Sequence, residues 1–500
     1  MWERTIGQTT AETLLRETLK NPAVWEIFAY DRDWNLCFRE HGLRVIDIHQ
    51  EHGQKFDAPT QITDLTIPEK RGRDIKRICK TAAEVAGYPQ DKFRFHFAEK
   101  ANFKAPVVAA ALKELHMETS GELGLHNFMW LRSKGLIAQD KKVICNGPKL
   151  RVHRFDKGYA ETIIEAFEKG LDITPVLVQG ESDFFRRNVR KGRMSVGIRS
   201  KFAVLEDKKQ LPGVVSPFGF DWEGVQNEAA KIAASPNLKF TMLHAMSSAA
   251  SAVNPEAFAK SALIAAEQYA VLKRKYPTLT DLNLGGGFPS IDSGYKHQEF
   301  LVPFLRGVKN ICERYGVELP TIVIESGSFI ATNCEHLVYP ITNTFINSSD
   351  GIPWLELGGN LLNIPDLWIQ EDSFNFIPAN NANSPLTRVR FHDLSCDSNS
   401  TVPTKEQLTA NPRASVVMTN NFKGLVVAAP CIGAYQDVLG GVGNPREQKI
   451  VNHCGLPEPV QVYIWKDSSG RTRIVGGGRA TIREQSGIVG FSDSFIPLFK

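Results

Sequence analysis

Eight short apolar runs between residues 93 and 327 alternate with helix-like stretches, and each run ends in a reactive or glycine-bearing tip. Strands and helices alternating in this number predict a (β/α)8 TIM-type barrel of the α/β class, whose strand C-termini form the active face. The runs span residues 93–100, 116–120, 143–147, 173–180, 195–199, 240–247, 282–287 and 321–327.

The predicted barrel brings the polar tips of its strands together at one mouth. A set of ionisable and glycine residues at that position predicts an enzyme, because catalytic residues of such barrels come from the ends of several strands. The residues gathered there are Lys100, Glu118, Arg199, His244, Gly285, Gly286, Gly287 and Glu325.

Helical periodicity mostly stops after residue 337, where short β-like runs begin. Two of these runs, 460–465 and 472–475, are joined by a polar turn and predict a hairpin. We therefore expect three parts. They are a flanking segment at 1–88, of which part packs on the β domain, a barrel at 89–336 and a mostly β domain at 337–500. Within the flanking segment we expect helices at 10–19 and 70–86 and an extended piece at 43–48.

Composition narrows the class of protein. Hydrophobic residues make up 42% and charged residues 23%, as in an ordinary soluble globular protein. A net charge of +4 gives no reason to expect nucleic acid or a membrane surface as partner. No apolar run approaches the ~20 residues of a membrane span, and the N-terminus lacks a signal peptide's apolar core. Eight cysteines without a C-x-x-C pair favour reduced thiols in the cytoplasm over disulfides or a metal site.

Two barrel-top features suggest a cofactor bound through a lysine and a phosphate. Lys100 ends the first predicted strand, where a lysine can form a Schiff base, although a lone lysine there is usually a solvated surface residue. The glycine run at 285–287 and the segment at 326–328 follow strands seven and eight, where barrels of this kind commonly bind phosphate. A glycine run alone is as often a flexible turn.

Glu325 and His244 add the features of a ring-binding site. A carboxylate at the tip of strand eight can pair with a protonated ring nitrogen, and a histidine at the end of strand six can stack on a flat cofactor. Taken alone, each residue has a simpler explanation. Glu325 could be a carboxylate that accepts hydrogen bonds from backbone amides, and His244 could be a structural histidine. Together with Lys100 and the phosphate loops, they indicate pyridoxal 5′-phosphate (PLP).

The same segments resemble a known family. FAEKAN (97–102) and LNLGGGFP (282–289) are similar to the lysine and glycine motifs of the PLP-dependent fold type III decarboxylases, which have the alanine-racemase fold. VICNGPK (143–149), IESGSFIATNCEHLVYPITN (324–343), LSCDSNS (394–400) and IGAYQDVLGG (432–441) resemble biosynthetic arginine decarboxylases more narrowly. The resemblance extends from about residue 93 to 445.

This resemblance implies roles for named residues. Lys100 would bind PLP covalently, Glu325 would face the ring nitrogen and His244 would stack on the ring. Cys396 of a second subunit would return a proton after CO2 leaves, and Asp397 would hold a distal cationic group of an amino acid substrate, which implies a homodimer with shared active sites. The other implied cofactor-binding residues are Glu118, Arg199, Ser247, Gly286, Gly287, Gly327, Ser328 and Tyr435.

The residues of the β domain have simpler explanations when the resemblance is set aside. A free cysteine such as Cys396 is most often a small buried residue. Asp397 and Ser398 are typical turn residues that bond their own backbone.

Three positions depart from the family pattern. Ser328 stands where the family has an arginine that grips the phosphate, so a charge-assisted contact is missing. Met246 replaces a glycine in the phosphate loop after His244. Ile364 stands where diaminopimelate decarboxylases have an arginine for the distal carboxylate, which argues against diaminopimelate as substrate.

The function predicted from these observations is PLP-dependent decarboxylation of a basic amino acid, arginine or a relative. The alternatives are an amino-acid racemase of the same fold, and a non-catalytic, decarboxylase-like regulatory protein. The departure at Ser328 motivates the regulatory alternative, while the presence of Lys100, Glu325 and Cys396 argues against it.

Overall fold

Eight parallel strands form a closed barrel in which each strand pairs with the next along the chain and the eighth pairs with the first. Ile322 lies opposite Phe93 where the barrel closes. The predicted barrel is thereby confirmed. Its strands are Phe93–Ala98, His116–Thr119, Val143–Cys145, Ile173–Leu177, Met194–Arg199, Leu238–His244, Asp281–Asn283 and Thr321–Ser326.

The computed structural model describes most of the chain. The described residues are 22–150, 157–201, 205–206, 209–210, 219–246, 254–365, 367, 375–436, 453–456, 458–478 and 481–488. The helix predicted at 10–19 lies outside them.

The barrel strands are apolar runs because both of their faces are covered. All five residues of Ile173–Leu177 are buried. Ile144, Val176, Met242 and Val323 pack together in one cluster contributed by four strands. Branched and long apolar side chains of this kind fill the interior of such barrels, so the polar chemistry is confined to the strand ends.

Helices connect the barrel strands, and their ends follow local sequence signals. The Asn254 side chain accepts hydrogen bonds from the backbone N–H groups of Glu256 (3.0 Å) and Ala257 (3.2 Å), and Pro255 occupies the first helical position. The helices of this region are Thr66–Ala86, Ala105–Leu112, Glu122–Ser133, Tyr159–Glu168, Ser182–Asn188, Trp222–Ala233, Pro255–Lys275, His297–Tyr315 and Ser328–Ala331.

A mixed sheet of ten strands forms the second part of the fold. The hairpin predicted in the last part of the chain is present, because Lys466 pairs with Thr472 and the turn closes through a hydrogen bond from Asp467 N–H to Arg471 C=O (2.9 Å). The strands are Thr60–Asp64, Glu335–Ile346, Pro353–Leu357, Ile377–Pro378, Leu386–Asp393, Thr401–Val402, Val416–Thr419, Val426–Ala429, Val460–Lys466 and Thr472–Gly476.

Smaller elements complete this part. Strands Phe28–Tyr30, Leu36–Phe38 and Leu43–Arg44 form a three-stranded antiparallel sheet. The extended piece predicted at 43–48 is wrong beyond residue 44. Val45–Ile48 is a short helix whose Val45, Ile46 and Ile48 are buried. The remaining short helices are Pro22–Ile27, Lys405–Ala410 and Ile482–Ile488, and residues 205–206 pair with 209–210 as two short strands.

The chain divides into two compact units, a β unit of residues 1–67 and 331–500 and a barrel unit of residues 68–330. The barrel unit therefore begins at Pro68, whereas the sequence boundary was drawn at residue 89. The reason is helix Thr66–Ala86, whose Cys79, Ala82 and Ala83 are fully buried. Lys76 of this helix also pairs with Glu114 of the barrel unit at 2.7 Å.

Candidate active site

The carboxyl ends of the last three barrel strands bring polar side chains side by side. His244 is level with Asn283 in the strand register, and Glu325 N–H donates to the Gly285 carbonyl at 2.9 Å. The Asn283 side-chain amide donates to Glu325 Oε1 at 2.7 Å. The carboxylate of Glu325 is thus held in a fixed orientation by its neighbouring strand.

A second amide joins Glu325 to a carboxylate from across the barrel. Asn146 Nδ2 donates to Glu325 Oε2 at 2.8 Å and to Glu118 Oε1 at 2.9 Å. Glu118 Oε1 also accepts a hydrogen bond from the Ser120 hydroxyl at 2.9 Å. Glu118 and Glu325 are 1% and 3% exposed, so the barrel mouth contains a buried pair of carboxyl groups.

Burial makes the ionisation of this pair costly. Burial, and then the negative charge of Glu118, raise the pKa of Glu325 to about 8, and burial also raises the pKa of Glu118. The positive charge of Lys100 opposes both increases. A further cation placed here would therefore stabilise the ionised carboxylates.

His244 is a buried, neutral imidazole next to Glu325. Burial, followed by the positive charges of Arg199 and Lys100, holds the pKa of His244 well below its usual range. Its Nδ1 lies 3.6 Å from Glu325 Oε1, and neither ring nitrogen has a hydrogen-bond partner among the described residues. Both ring nitrogens are thus available to a polar partner on a bound group.

Arg199 ends the fifth barrel strand, directly opposite His244 in the register. Burial lowers the pKa of its guanidinium, while the charges of Glu325 and Glu118 oppose that shift. Arg199 is therefore the cationic side of the same cluster, as the sequence predicted for the barrel mouth.

Lys100 lies on a short 3-10 helix, Glu99–Ala101, immediately after the first strand. Its side chain is exposed, whereas Glu99 is buried and accepts a hydrogen bond from the Thr119 hydroxyl at 2.9 Å. Gly124 lies so close that an added Cβ would collide with the Glu99 carboxylate. The backbone next to Lys100 is therefore held in place through Glu99, which is hydrogen-bonded to Thr119 and packed against Gly124.

The glycine run forms a close-fitting turn at the end of the seventh strand. Gly285 and Gly287 have φ values of +69° and +83°, conformations that favour glycine. Met246 crowds this turn, because an added Cβ at Gly285 would lie 3.1 Å from Met246 Cβ. A Cβ at Gly286 would lie 3.3 Å from the Glu325 carbonyl oxygen. Only bare backbone fits between the two segments.

The eighth strand leads directly into the other half of the predicted phosphate site. Gly327 follows strand Thr321–Ser326 and precedes helix Ser328–Ala331, with Ser328 partly buried. The structure places these residues next to Glu325 along the chain. Ser247 lies outside the described residues.

Cys396 and Asp397 belong to the β unit, in the loop after strand Leu386–Asp393. Asp393 Oδ1 anchors the loop by accepting hydrogen bonds from the Ser395 N–H (2.9 Å) and hydroxyl (2.6 Å). Asp397 Oδ1 accepts a hydrogen bond from the Asn399 N–H at 2.9 Å, as expected of a turn residue that bonds its own backbone. Cys396 is exposed, so its reading as a buried structural cysteine is wrong.

Cys396 is in contact with a second exposed thiol. Its Sγ lies 3.6 Å from Sγ of Cys454, and a hydrogen bond and the charge of Cys454 raise the pKa of Cys396. The thiol therefore retains its proton at neutral pH.

Tyr435 lies in the β unit with an unusual backbone conformation. Its φ is +65°, a region that non-glycine residues rarely adopt. Gly433, two residues earlier, has no room for a side chain, because an added Cβ would collide with the Ala331 carbonyl oxygen. Strained residues of this kind are concentrated at functional sites.

Sequence reasoning assigned no role to Asn146, Asn283 or Lys149. All three lie within quoted motifs at strand ends, and that position was the available signal. Lys149 is 1% exposed, and its Nζ lies 3.3 Å from Glu181 Oε2 and 2.5 Å from the Val176 carbonyl oxygen. This buried ion pair braces the loop after the third strand.

The described residues contain neither a membrane-spanning helix nor a cluster of metal ligands. No helix among them is long and apolar enough to span a bilayer. The same residues contain no group of three or more His, Cys, Asp or Glu side chains arranged to bind a metal ion.

The fold is shared with solved decarboxylases. The biosynthetic arginine decarboxylase from Campylobacter jejuni superposes with a TM-score of 0.74 at 17% identity, covering 96% of this chain and 92% of that chain. A diaminopimelate decarboxylase from M. jannaschi has a TM-score of 0.70 at 14% identity, covering 94% and 99%. The predicted alanine-racemase-type fold, a barrel with a β domain, is confirmed by this likeness.

Sequence comparison gives a narrower relationship. No protein-family model matches the chain. The biosynthetic arginine decarboxylase of Trichlorobacter lovleyi is 25% identical over 346 residues, which is 64% of this chain and 53% of that protein. The enzyme of the same name from Prochlorococcus marinus is 25% identical over 350 residues, 64% and 52% of the two chains. The chain is thus a relative of biosynthetic arginine decarboxylases, and it spans about half the length of the curated relatives it matches.

Proposed function

We propose that this chain is a PLP-dependent decarboxylase of a basic amino acid, arginine or a close relative. The observation that carries the proposal is the buried cluster at the barrel mouth, in which Glu325 is fixed by two amides beside the neutral ring of His244. The names of the curated relatives support the reaction class.

The cluster fits a flat cationic ring. A protonated pyridine nitrogen next to Glu325 would offset the burial that raises the pKa of this carboxyl group to about 8. His244 would stack on this ring, the role that the resemblance to the fold type III decarboxylases implies for it. When bound, PLP supplies an electron sink for the electron pair left on the α-carbon as CO2 departs.

The remaining residues of the barrel unit have supporting roles in this proposal. Lys100 would hold the cofactor covalently, and Glu118 and Arg199 would contact the side of its ring that carries the hydroxyl. The bare backbone of Gly286 and Gly287, with Gly327, Ser328 and Ser247, binds the phosphate.

The β unit contributes the proton donor and the substrate contact. Cys396 carries its proton at neutral pH, because the neighbouring thiol raises its pKa, and it donates this proton to the α-carbon after CO2 has left. Asp397 holds the distal cation of the substrate. We propose that both act on the site of a second subunit in a homodimer, and that Tyr435 binds phosphate.

The substrate assignment is supported by Ile364. This residue is fully buried and packs with Leu361 and Leu367 in the apolar core of the β unit. An apolar side chain there gives a second substrate carboxylate no cation to bind. The free state of all eight cysteines supports a cytoplasmic location.

The direct test is mass spectrometry of products after PLP-loaded protein is incubated with arginine, ornithine and lysine, each in L and D forms. We expect an amine lighter than its parent by CO2, and no product from Lys100→Ala. The control is Lys134→Ala, which removes another exposed lysine of the barrel unit. Cys396→Ser should retain cofactor binding and lose turnover.

Other results would replace the proposal. Inversion of the α-carbon with the carboxylate retained would establish a racemase. PLP that neither binds nor stabilises the fold, with no product from any substrate, would indicate a regulatory protein, since a ligand bound by the native state raises its stability.

A further inference from the structure

A cavity of about 420 Å³ opens beside the glycine run of the barrel unit. Gly287 and Ser328 line one side, so it borders both segments of the proposed phosphate site. Tyr295, Lys296 and Glu299 line another side, from the segment that leads into helix His297–Tyr315. The cavity therefore extends from Ser328, where the family has an arginine, to a segment that carries the charged residues Lys296 and Glu299.

Lys296 is the one basic residue among those lining the cavity in the described part of the chain. Its Nζ lies 3.2 Å from Glu299 Oε1, and its side chain is 73% exposed, so little holds it in place. Lys296 also occupies the N-cap of helix His297–Tyr315 and makes no capping hydrogen bond. The positive end of the helix dipole disfavours a cation there unless an anion is near.

Tyr295 provides an independent indication of a ligand. Its hydroxyl is buried and has no hydrogen-bond partner among the described residues. Burial raises the pKa of the phenol, so the hydroxyl remains a donor at neutral pH. A buried donor without a partner is costly, and an anion in the cavity would accept its hydrogen bond.

We propose that Lys296 and Tyr295 contact the phosphate of the cofactor and replace the guanidinium that Ser328 lacks. This inference rests on the proposed function, because it assumes that the cofactor is PLP. Lys296 provides the positive charge, Tyr295 donates a neutral hydrogen bond, and the backbone of Gly287 completes the contact.

The test compares two ligands that differ only in the phosphate. Equilibrium dialysis of PLP and of pyridoxal is carried out on the full chain and on Lys296→Ala. Loss of one charge-assisted contact should weaken PLP binding about 10-fold to 100-fold and leave pyridoxal binding unchanged. Lys260→Ala is the matched control, because Lys260 is also exposed (63%) and paired with a glutamate of its own helix.

Two further variants make the assignment specific. Ser328→Arg in the Lys296→Ala background should restore PLP affinity, and Glu299→Gln should strengthen it by releasing Lys296. Unchanged PLP affinity in Lys296→Ala would overturn the assignment while leaving the proposed function intact. A wild-type chain that binds neither ligand would overturn the proposed function, and this inference with it.

A different observation supports a second inference, at the pair of exposed thiols in the β unit. Cys396 and Cys454 are the two exposed cysteines of the eight, and their sulfur atoms are already in contact at 3.6 Å. A disulfide requires about 2.05 Å, so the sulfurs need to approach by only a small side-chain movement. Cys454 has a φ of +57° in a short turn, His453–Gly455.

We infer that Cys396 and Cys454 form a reversible disulfide when the protein meets hydrogen peroxide. Each thiol loses one hydrogen, one S–S bond forms, and the peroxide is reduced to two water molecules. A thiol reductant reverses the step by exchange. The oxidised form would lack the Cys396 proton that the proposed function requires.

The test is intact mass and peptide mapping after peroxide treatment. We expect a loss of two hydrogen atoms, a cross-linked peptide pair containing both cysteines, and full reversal by dithiothreitol. Cys454→Ser should abolish the cross-link and Cys37→Ser should not. Oxidation of Cys396 to sulfinic acid without pairing, or a cross-link between two chains, would overturn the inference whatever the enzymatic activity.

Discussion

Replacing Glu118 with glutamine tests how far the negative charge of this residue raises the pKa of Glu325 in the buried carboxyl pair. Glu118 Oε1 accepts hydrogen bonds from Ser120 and Asn146, whereas its Oε2 is buried and has no hydrogen-bond partner among the described residues. An amide of the same shape can keep both accepted hydrogen bonds and place its NH2 group at the Oε2 position. Glu118→Gln therefore removes a charge next to Glu325 with little change in packing.

The expected effect follows from proton linkage. The folded protein binds the Glu325 proton more tightly than the unfolded chain, since its pKa is about 8 instead of 4.5. Stability from this group is present at low pH and is lost as pH rises through about 8. Between pH 7 and 9 that loss is on the order of 1 kcal/mol for one carboxyl group. Glu118→Gln removes the second-largest cause of the raised pKa of Glu325, after burial, and should therefore reduce this loss.

The assay is urea unfolding of wild type and Glu118→Gln without cofactor at pH 7, 8 and 9. The difference in unfolding free energy between the two should grow with pH, by up to about 1 kcal/mol, and the raised pKa of Glu118 adds to it in the same direction. Glu118 also raises the pKa of Cys145, but this buried thiol, with a pKa of about 12, stays protonated in the folded protein throughout this pH range. Glu256→Gln, at an exposed site, is the control. A difference that stays constant from pH 7 to 9 would refute the reasoning.

Three further predictions concern stability and binding. Lys149→Met should destabilise the barrel unit by about 3–5 kcal/mol because it leaves Glu181 buried without its cation, and the double variant with Glu181→Leu should recover part of this in urea unfolding. Gly433→Ala should cost on the order of 2 kcal/mol or more, since its Cβ collides with the Ala331 carbonyl; unchanged thermal unfolding would contradict the contact. Asn283→Ala should weaken PLP binding in dialysis about tenfold by releasing the carboxylate of the eighth strand, and equal affinity would show that this amide does not orient it.

Periodicity was sufficient to predict the barrel, because its eight apolar runs are covered on both faces and their tips alone are polar. The same reasoning placed Glu118, His244 and Glu325 at the barrel mouth, and each is the last residue of its strand or the one before it. It could not give Asn146 and Asn283 their roles, since an amide at a strand end has no distinctive pattern until its partner is known. Lys296 lines the cavity from a loop, and hydrophobic periodicity does not predict the path of a loop.

The N-terminal part of the β unit was the least predictable region. Thr60–Asp64 is buried at every position, yet its sequence TQITD contains one large apolar residue and reads as a loop. Its polar side chains are satisfied by partners outside the strand. His49 contacts the Thr60 hydroxyl at 2.9 Å, and Thr66 N–H donates to Asp64 at 2.9 Å. The helix predicted at 70–86 is observed as Thr66–Ala86, but the unit to which it belongs depends on contacts that its sequence does not show.

The position of strand Thr60–Asp64 has a consequence for synthesis on the ribosome. This strand lies between Glu335–Ile346 and Val460–Lys466, and Gln61 hydrogen-bonds to Glu335 at 2.8 Å and to Gln461 at 3.0 Å. The second partner is made 400 residues later, which at about 5–20 residues per second is a delay of roughly 20–80 s. Throughout that time one edge of an early strand has no partner. A nascent chain of this protein therefore exposes an unpaired strand edge until residues 460–466 are made, and unpaired edges of this kind are prone to pair with other chains.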